Sequence, residues 1–241
     1  PGLPEITTNF RLGAEISDRV DLIDDDILVI SQKAVSKAEG RTISLDSVEP
    51  RVKAVRLGSE LGKDPRLVEL ILSESREIVR TDYARGIIIT ETNQGFVCAN
   101  AGIDASNLED PDSVILLPRD CDHSARLIRA EIEDEMGARP AVIISDSFGR
   151  AWRHGQVEVA LGCAGIEVLD DWRGLPDRNG RILTSTAIGI ADQAAAASDL
   201  ARTKTSGTPV IRIRGLGRFV NRDNGPGCAS QIRSQEEDLF R

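Results

Sequence analysis

An α+β fold is predicted by three features of the sequence: short β-branched runs bounded by turn residues, amphipathic helical stretches between them, and an order that does not keep strict strand-helix-strand alternation. Asp26 to Ser31 (DILVIS) reads as a buried strand between an acidic turn and a loop rich in Lys and Gly. Two helices are expected over Arg51 to Leu61 and Pro65 to Val79. The second has Pro at its start and Leu67, Leu70, Ile71 and Ile78 on one face. Gly86 to Thr92 and Gln94 to Asn100 form a hairpin about Asn93, and Ser113 to Leu117 is a further strand. Ser124 to Met136 is an amphipathic helix closed by Gly137. Pro140 to Ser145 (PAVIIS) is a second buried strand, with Asp146 at its carboxyl end. Val157 to Leu169 and Leu183 to Ser185 are strand-like. An alanine-rich helix over Ala187 to Ala201 then leads into a strand at Val210 to Ile213.

Composition narrows the function. The 241 residues carry a net charge of −9, which argues against an extended nucleic-acid surface, because phosphate neutralisation dominates such binding. No apolar stretch approaches the roughly 20 residues of a membrane span. No basic, then apolar, leader stands at the start, so the chain reads as cytoplasmic. Cys98, Cys121, Cys163 and Cys228 lie far apart, without zinc-site spacing, and read as buried small hydrophobes. No repeat or linker divides the sequence.

Neither standard nucleotide loop is present: there is no G-x-x-x-x-G-K-[ST], and Gly215-x-Gly217 lacks a third glycine at the required offset. Three segments nevertheless gather small and oxygen-bearing residues beside strand ends: 36–41, 100–107 and 146–150. Asp104 and Asp146 are hard oxygen donors and Ser147 adds a hydroxyl, a set that suits Mg²⁺ or Mn²⁺ with phosphates. The plain structural alternative is that Asp104 caps a turn and Asp146 a helix. Lys37 could neutralise phosphate, and Arg150, Arg153, Arg212, Arg214 and Arg218 could clamp phosphates or carboxylates, with a solvated surface role as the alternative for each. His123 and His154 are the only histidines and stand in unlike contexts, which leaves little for a histidine triad or a multi-histidine metal site.

Taken together, GLPEI at 2–6, DDILVISQKAVSKAEGR at 25–41, VCANAGIDASN at 97–107, VILLPRDCDHSA at 114–125, VIISDSFGRAWRHG at 142–155, ALGCAGIEVLDDWRGLPDRNGR at 160–181 and VIRIRGLGR at 210–218 resemble the coenzyme F-420:L-glutamate ligase family. The resemblance covers essentially the whole chain. It implies that residues 1–241 form a single γ-glutamyl ligase module of two interleaved subdomains, with mixed and antiparallel sheets and an intertwined homodimer. It also implies GTP-driven addition of L-glutamate to a deazaflavin precursor through an acyl phosphate, with Mg²⁺ or Mn²⁺ and K⁺ as cations. By motif, Asp104, Asp146 and Ser147 are the implied metal ligands, and Asp104, Asp146 and Lys37 the implied catalytic groups. Asn107 is the implied nucleotide contact; Leu3, Pro4, Gln32, Lys33, Lys37, Arg214, Gly215, Leu216, Gly217, Arg218 and Asn221 border GTP. The family's residues after the first strand are often small and hydroxylated, where this chain has Gln32 and Lys33.

Two other readings use the same residues. A metal-dependent phosphoester hydrolase would pass the group to water, and a non-catalytic deazaflavin- or nucleotide-binding module would pass it nowhere. GTP turnover that requires both deazaflavin and glutamate separates ligation from either.

Overall fold

The computed structural model describes residues 2–106, 108, 110–203 and 205–240. Helix α1 (Leu12–Ser17) precedes strand β1 (Ile27–Ser31), which runs directly into helix α2 (Gln32–Ala38) and then strand β2 (Thr42–Ser44). The helix pair α3 (Val52–Leu61) and α4 (Pro65–Ser73) is followed by β3 (Ser75–Asp82), β4 (Ile87–Thr92), β5 (Val97–Ala99) and β6 (Ser113–Ile115). The long helix α5 (Cys121–Met136) leads to the hairpin of β7 (Ala141–Arg150) and β8 (Arg153–Ala164). The short strands β9 (Leu169–Asp171) and β10 (Ala187–Gly189), helix α6 (Ile190–Asp199) and strand β11 (Val210–Ile213) complete the regular structure.

The central sheet has the order β11-β1-β7-β8. β1 and β7 are parallel, with Ile27 opposite Ala141 and Ser31 opposite Ser145, while β11 and β8 run antiparallel at the two sides. The period-two alternation of a strand sends Leu28, Ile30, Val142 and Ile144 to one face, where α1, α2 and α5 cover them. Ile27, Val29, Ala141 and Ile143 face the other way and pack under α6. With both faces covered, the strands read as continuous apolar runs, which is why they were legible as buried. Each fully enclosed Ile or Leu contributes about 2 kcal/mol of hydrophobic stabilisation.

A third core lies beside this layer. The faces of α3 and α4 bury Ala54, Leu57, Leu61, Val68 and Ile71 against Ile88, Val114 and Leu116. The three-stranded sheet β3-β4-β5 and the two-stranded ladder of β2 with β6 border it. The overall class is α+β with mixed and antiparallel sheets, as predicted.

Several expectations need correction. The Lys-rich stretch after β1 is helix α2, because QKAVSKA combines good helix formers with a buried Ala34-Val35 face and ends at Gly40. Helix α4 stops at Ser73, and residues 75–79 belong to β3, an edge strand with two bulges. Ile78 had fitted the helical period by coincidence, since spacings of seven and eleven residues satisfy it without proving it. Residues 187–189 are strand β10 rather than the start of α6, and 183–185 form no strand, although Ile182 makes an isolated bridge to Pro176. β7 continues to Arg150, past the predicted end at Ser145, and helix α1 was not foreseen.

One buried cation ties the C-terminal segment to this frame. Arg129, only 1% exposed, donates from Nε to Pro140 O at 2.9 Å and from Nη2 to Asn221 O at 2.5 Å. Its Nη1 reaches Arg222 O, Asp223 O and Asn224 Oδ1 at 3.2, 3.0 and 2.9 Å. Gly165 makes room for it, since a Cβ there would stand 2.3 Å from the guanidinium carbon. Arg129→Met keeps most of the volume but leaves the buried Pro140 carbonyl and the part-buried carbonyls of the C-terminal segment without this donor, a loss on the order of 3 kcal/mol. A fall of about 10 °C in melting temperature by circular dichroism is expected; a change within 2 °C would show that Arg129 is not this anchor.

Candidate active site

Since β1 and β7 run parallel, their carboxyl ends open on the same side of the sheet, the side where open α/β sheets bind ligands. Three pieces of chain meet there: α2, which leaves β1; the continuation of β7 through Asp146 and Ser147; and the loop holding Asp104. That loop leaves β5 through three consecutive left-handed residues, Asn100 (φ 53°), Ala101 (φ 55°) and Gly102 (φ 71°). A left-handed non-glycine residue costs on the order of 1–2 kcal/mol, so the loop holds strain of the kind found at functional sites. Gly102 is needed twice over, because a Cβ would also stand 2.7 Å from Leu117 Cδ1. The turn delivers Asp104 to a two-way backbone bridge with Ile115, at 3.0 and 2.8 Å.

Lys33, in the first turn of α2, sets its ammonium 2.8 Å from Asp104 Oδ2 and 2.7 Å from Ser106 Oγ. Burial works to raise the Asp104 carboxyl, but hydrogen bonds from Lys33 and from Ser106 outweigh it and hold the group below the usual carboxylate range. Asp146 differs. Burial first, then the like charges of Glu158 and Asp104, push its carboxyl up to about 7, against the relief given by the Ser147 backbone N–H and, less, by Lys33. The Cys98 thiol nearby is raised by burial and by Asp146 to about 12, which leaves it inert as a nucleophile.

Strand alternation divides the polar groups between the two faces of the sheet. Asp146 pairs with Val159 on the α5 face, beside Phe148, whose ring meets Phe96 edge-on at 6.5 Å. Ser145, Ser147 and Glu158 face the α6 side, where Glu158 accepts from Ser145 Oγ at 2.6 Å and Ser147 Oγ at 2.5 Å. Arg202, just past α6, closes an ion pair with Glu158 at 2.9 Å, its side chain 9% exposed against 4% for the glutamate.

The chain thus brings Asp104, Asp146 and Lys33 together, with Ser147 next along β7 and its hydroxyl on the opposite face of the strand. Lys37 lies one turn beyond Lys33 on α2 and pairs with Glu5 at 2.6 Å, which brings the Leu3-Pro4 segment alongside. Gln32 is fully buried, accepts from Ser36 Oγ at 2.9 Å, and has no partner for its Nε2 among the described residues. Asn107 lies outside the described residues. Within the chain, Arg214, Gly215, Leu216, Gly217, Arg218 and Asn221 do not join this group. β11 runs antiparallel to β1, so Ile213 stands opposite Ile27, and Arg214 grips Asp26 at 2.7 Å at the other end of the strand. Four residue steps along β1 separate the two ends by roughly 13 Å. The Arg214 pair, working against burial, holds Asp26 below the usual range.

Sequence reasoning missed Glu158 and Arg202. A lone acid within the otherwise apolar run Val157 to Ala160 was the available signal for Glu158; Arg202 carried none. It also missed the approach of Asp122, Cys163 and Cys228, the trio whose ligand atoms lie within 4.8 Å of one another among the described residues. There the Asp122 carboxylate is engaged by the backbone N–H groups of Cys163 and Cys228, both at 2.8 Å, and of Ala229 at 3.2 Å. Its role is to clip the C-terminal segment to β8, and all four cysteines are buried and free.

A divalent cation fits the donor set at the sheet end. Two carboxylates and a hydroxyl are hard oxygen ligands, and Asp146 stays short of compensating charge even with Lys33 close by. The carboxylates of Asp104, Asp146 and Glu158 do not themselves close to within 4.8 Å of one another.

Comparison with known proteins gives the class and then the family. The curated relatives are ligases: "Coenzyme F420:L-glutamate ligase" of Methanothermobacter thermautotrophicus is 45% identical over 92% of this chain and 86% of its own length. The proteins of the same name from Halorubrum lacusprofundi and Archaeoglobus fulgidus are 40% and 38% identical over 100% of this chain and 94% of their own lengths. The family profile described as F420-0:Gamma-glutamyl ligase matches residues 2–215, and the chain belongs to that family. Among the described residues no helix is long and apolar enough to cross a membrane.

The raised Asp146 carboxyl makes stability depend on pH. Between the ordinary value of 3.8 and about 7 the unfolded chain has released a proton that the folded one keeps, so this group's contribution falls as pH rises through that window. Asp146→Asn removes the effect. In the presence of EDTA the variant should melt several degrees above the parent at pH 8, a gain of a few kcal/mol, and should match it near pH 4. Equal melting temperatures across this range would contradict a raised Asp146 carboxyl.

Proposed function

We propose that this chain is a GTP-dependent ligase that joins the amine of L-glutamate to the terminal carboxylate of the deazaflavin coenzyme F420 precursor. The observation that supports the reading is the approach of Asp104 to Asp146, with Ser147 next along the strand, at the carboxyl end of a parallel strand pair in a chain of this ligase family. An unactivated carboxylate is a poor electrophile. In the proposed reaction a carboxylate oxygen attacks the γ-phosphorus of GTP, GDP leaves, and an acyl phosphate forms. The glutamate amine then adds to the acyl carbon, the carbon–oxygen bond breaks, and phosphate departs with that oxygen.

Asp104, Asp146 and Ser147 would hold Mg²⁺ or Mn²⁺, which would supply charge stabilisation to the transferring phosphoryl group. Lys37, held beside the N-terminal segment by Glu5, would neutralise phosphate charge, and Lys33 would keep the Asp104 loop in place. K⁺ and a homodimer of intertwined chains belong to the same reading.

With GTP, glutamate and the deazaflavin precursor, mass spectrometry should find the precursor enlarged by glutamyl residues, with one GDP formed per amide. Carboxylate oxygen-18 in the precursor should appear in the released phosphate. Asp146→Ala should lower the rate by at least about 10³-fold while the circular dichroism spectrum is kept. GTP turnover that runs equally well without glutamate and precursor would instead favour a phosphohydrolase. No turnover at all, with nucleotide still bound, would favour a binding module.

A further inference from the structure

Glu158 stands where it can act on the cation site without touching it from the Asp146 side. It is opposite Ser147 in the β7–β8 ladder, on the α6 face of the sheet, and 4% exposed. One of its oxygens accepts the Ser147 hydroxyl at 2.5 Å and the other the Ser145 hydroxyl at 2.6 Å, while Arg202 holds the carboxylate at 2.9 Å.

A serine hydroxyl has one proton and two lone pairs, and only the lone pairs can ligate a cation. Where the proton goes therefore decides what the oxygen offers to its other neighbours. A buried carboxylate is a pure acceptor, so it fixes that proton inward, and the charge-assisted bond makes the Ser147 oxygen a better donor to a cation. Arg202 holds the carboxylate in place, since a buried, hydrogen-bonded ion pair resists rearrangement.

We infer that Glu158 is a positioning residue of the cation site: it accepts the hydrogen bond of the Ser147 hydroxyl, which leaves the oxygen lone pairs to face a cation, and is locked in that orientation by Arg202. The inference rests on the reading of Ser147 as a cation ligand, and its own content is that Glu158 acts through Ser147.

The test is Mn²⁺ binding to the whole protein, followed by electron paramagnetic resonance with neither nucleotide nor substrate present. Glu158→Gln should weaken Mn²⁺ binding about 10- to 100-fold, as loss of such an outer partner does elsewhere. Ser147→Ala should weaken it by a similar factor, and the double variant should be no weaker than the poorer single one, because both substitutions remove the same ligand contribution. Additive losses, or wild-type affinity in Glu158→Gln, would overturn the inference. Asp146→Asn serves as the separate arm. Loss of Mn²⁺ there with retention in Glu158→Gln sinks only the role of Glu158, whereas retention in Asp146→Asn sinks the cation site itself. Circular dichroism melting checks the fold. If Glu158→Gln does not fold, Glu158→Asp, which keeps the charge for Arg202 but draws the carboxylate back by one methylene, enters the same cycle. Independence from Ser147→Ala overturns the inference there as well.

Discussion

Because β1 and β7 run parallel with Ser31 opposite Ser145, both strands end on one side of the sheet, and every group of the candidate site is placed by reference to that pair. The chain turns into α2 immediately after Ser31, which carries Lys33 and Lys37 over the strand ends. β7 instead continues as strand, which puts Asp146 and Ser147 on opposite faces of the same layer. A register shift of one residue would exchange those faces and bury the serines where Asp146 now meets Asp104 and Lys33. The apolar pairs between Ile27 and Ile30 and between Ala141 and Ile144, enclosed from both sides, fix the register against such a slip.

Charge is arranged around this frame with a consistent sense. Asp104 is paired by Lys33, Glu158 by Arg202 and Asp26 by Arg214, while Asp146 is buried near acids, relieved only in part by the Ser147 backbone N–H and by Lys33. The paired carboxylates hold loops and strands in position. Asp146 is the acid that burial and its neighbours push well above the usual carboxylate range, and it lies on the face opposite the Ser147 hydroxyl. The strained left-handed turn before Asp104 belongs to the same design, since it brings the second carboxylate to the sheet end from a separate core.

Much of this was legible in the sequence, and the parts that were not share a physical cause. DILVIS and PAVIIS were readable because a strand covered on both faces needs an unbroken apolar run, and Ser124 to Met136 because α5 buries one face and ends in a left-handed glycine. The outer half of β7 was hidden because a strand leaving the core for a polar site loses its apolar signature at Ser145. Helix α2 was hidden by its lysines, which read as a solvated loop but pair with Asp104 and Glu5. The candidate roles of Asp104, Asp146 and Ser147 came from motifs, whereas the partnership of Glu158 with Arg202 joins residues 44 positions apart and depends on the packing of α6 against β8, which no local pattern encodes. The grouping of Arg214 to Asn221 with the other predicted nucleotide residues took no account of strand direction: the antiparallel course of β11 carries that loop to the far end of the sheet.

The central claim is that the carboxyl ends of β1 and β7 form a cation site built from Asp104, Asp146 and Ser147. Anomalous diffraction from crystals of the protein equilibrated with Mn²⁺ tests it most directly. The account predicts a manganese peak within bonding distance of oxygens from Asp146 and from Asp104 or Ser147. A peak confined to Asp122, Cys163 and Cys228, or no peak at the sheet end at saturating Mn²⁺, would contradict it.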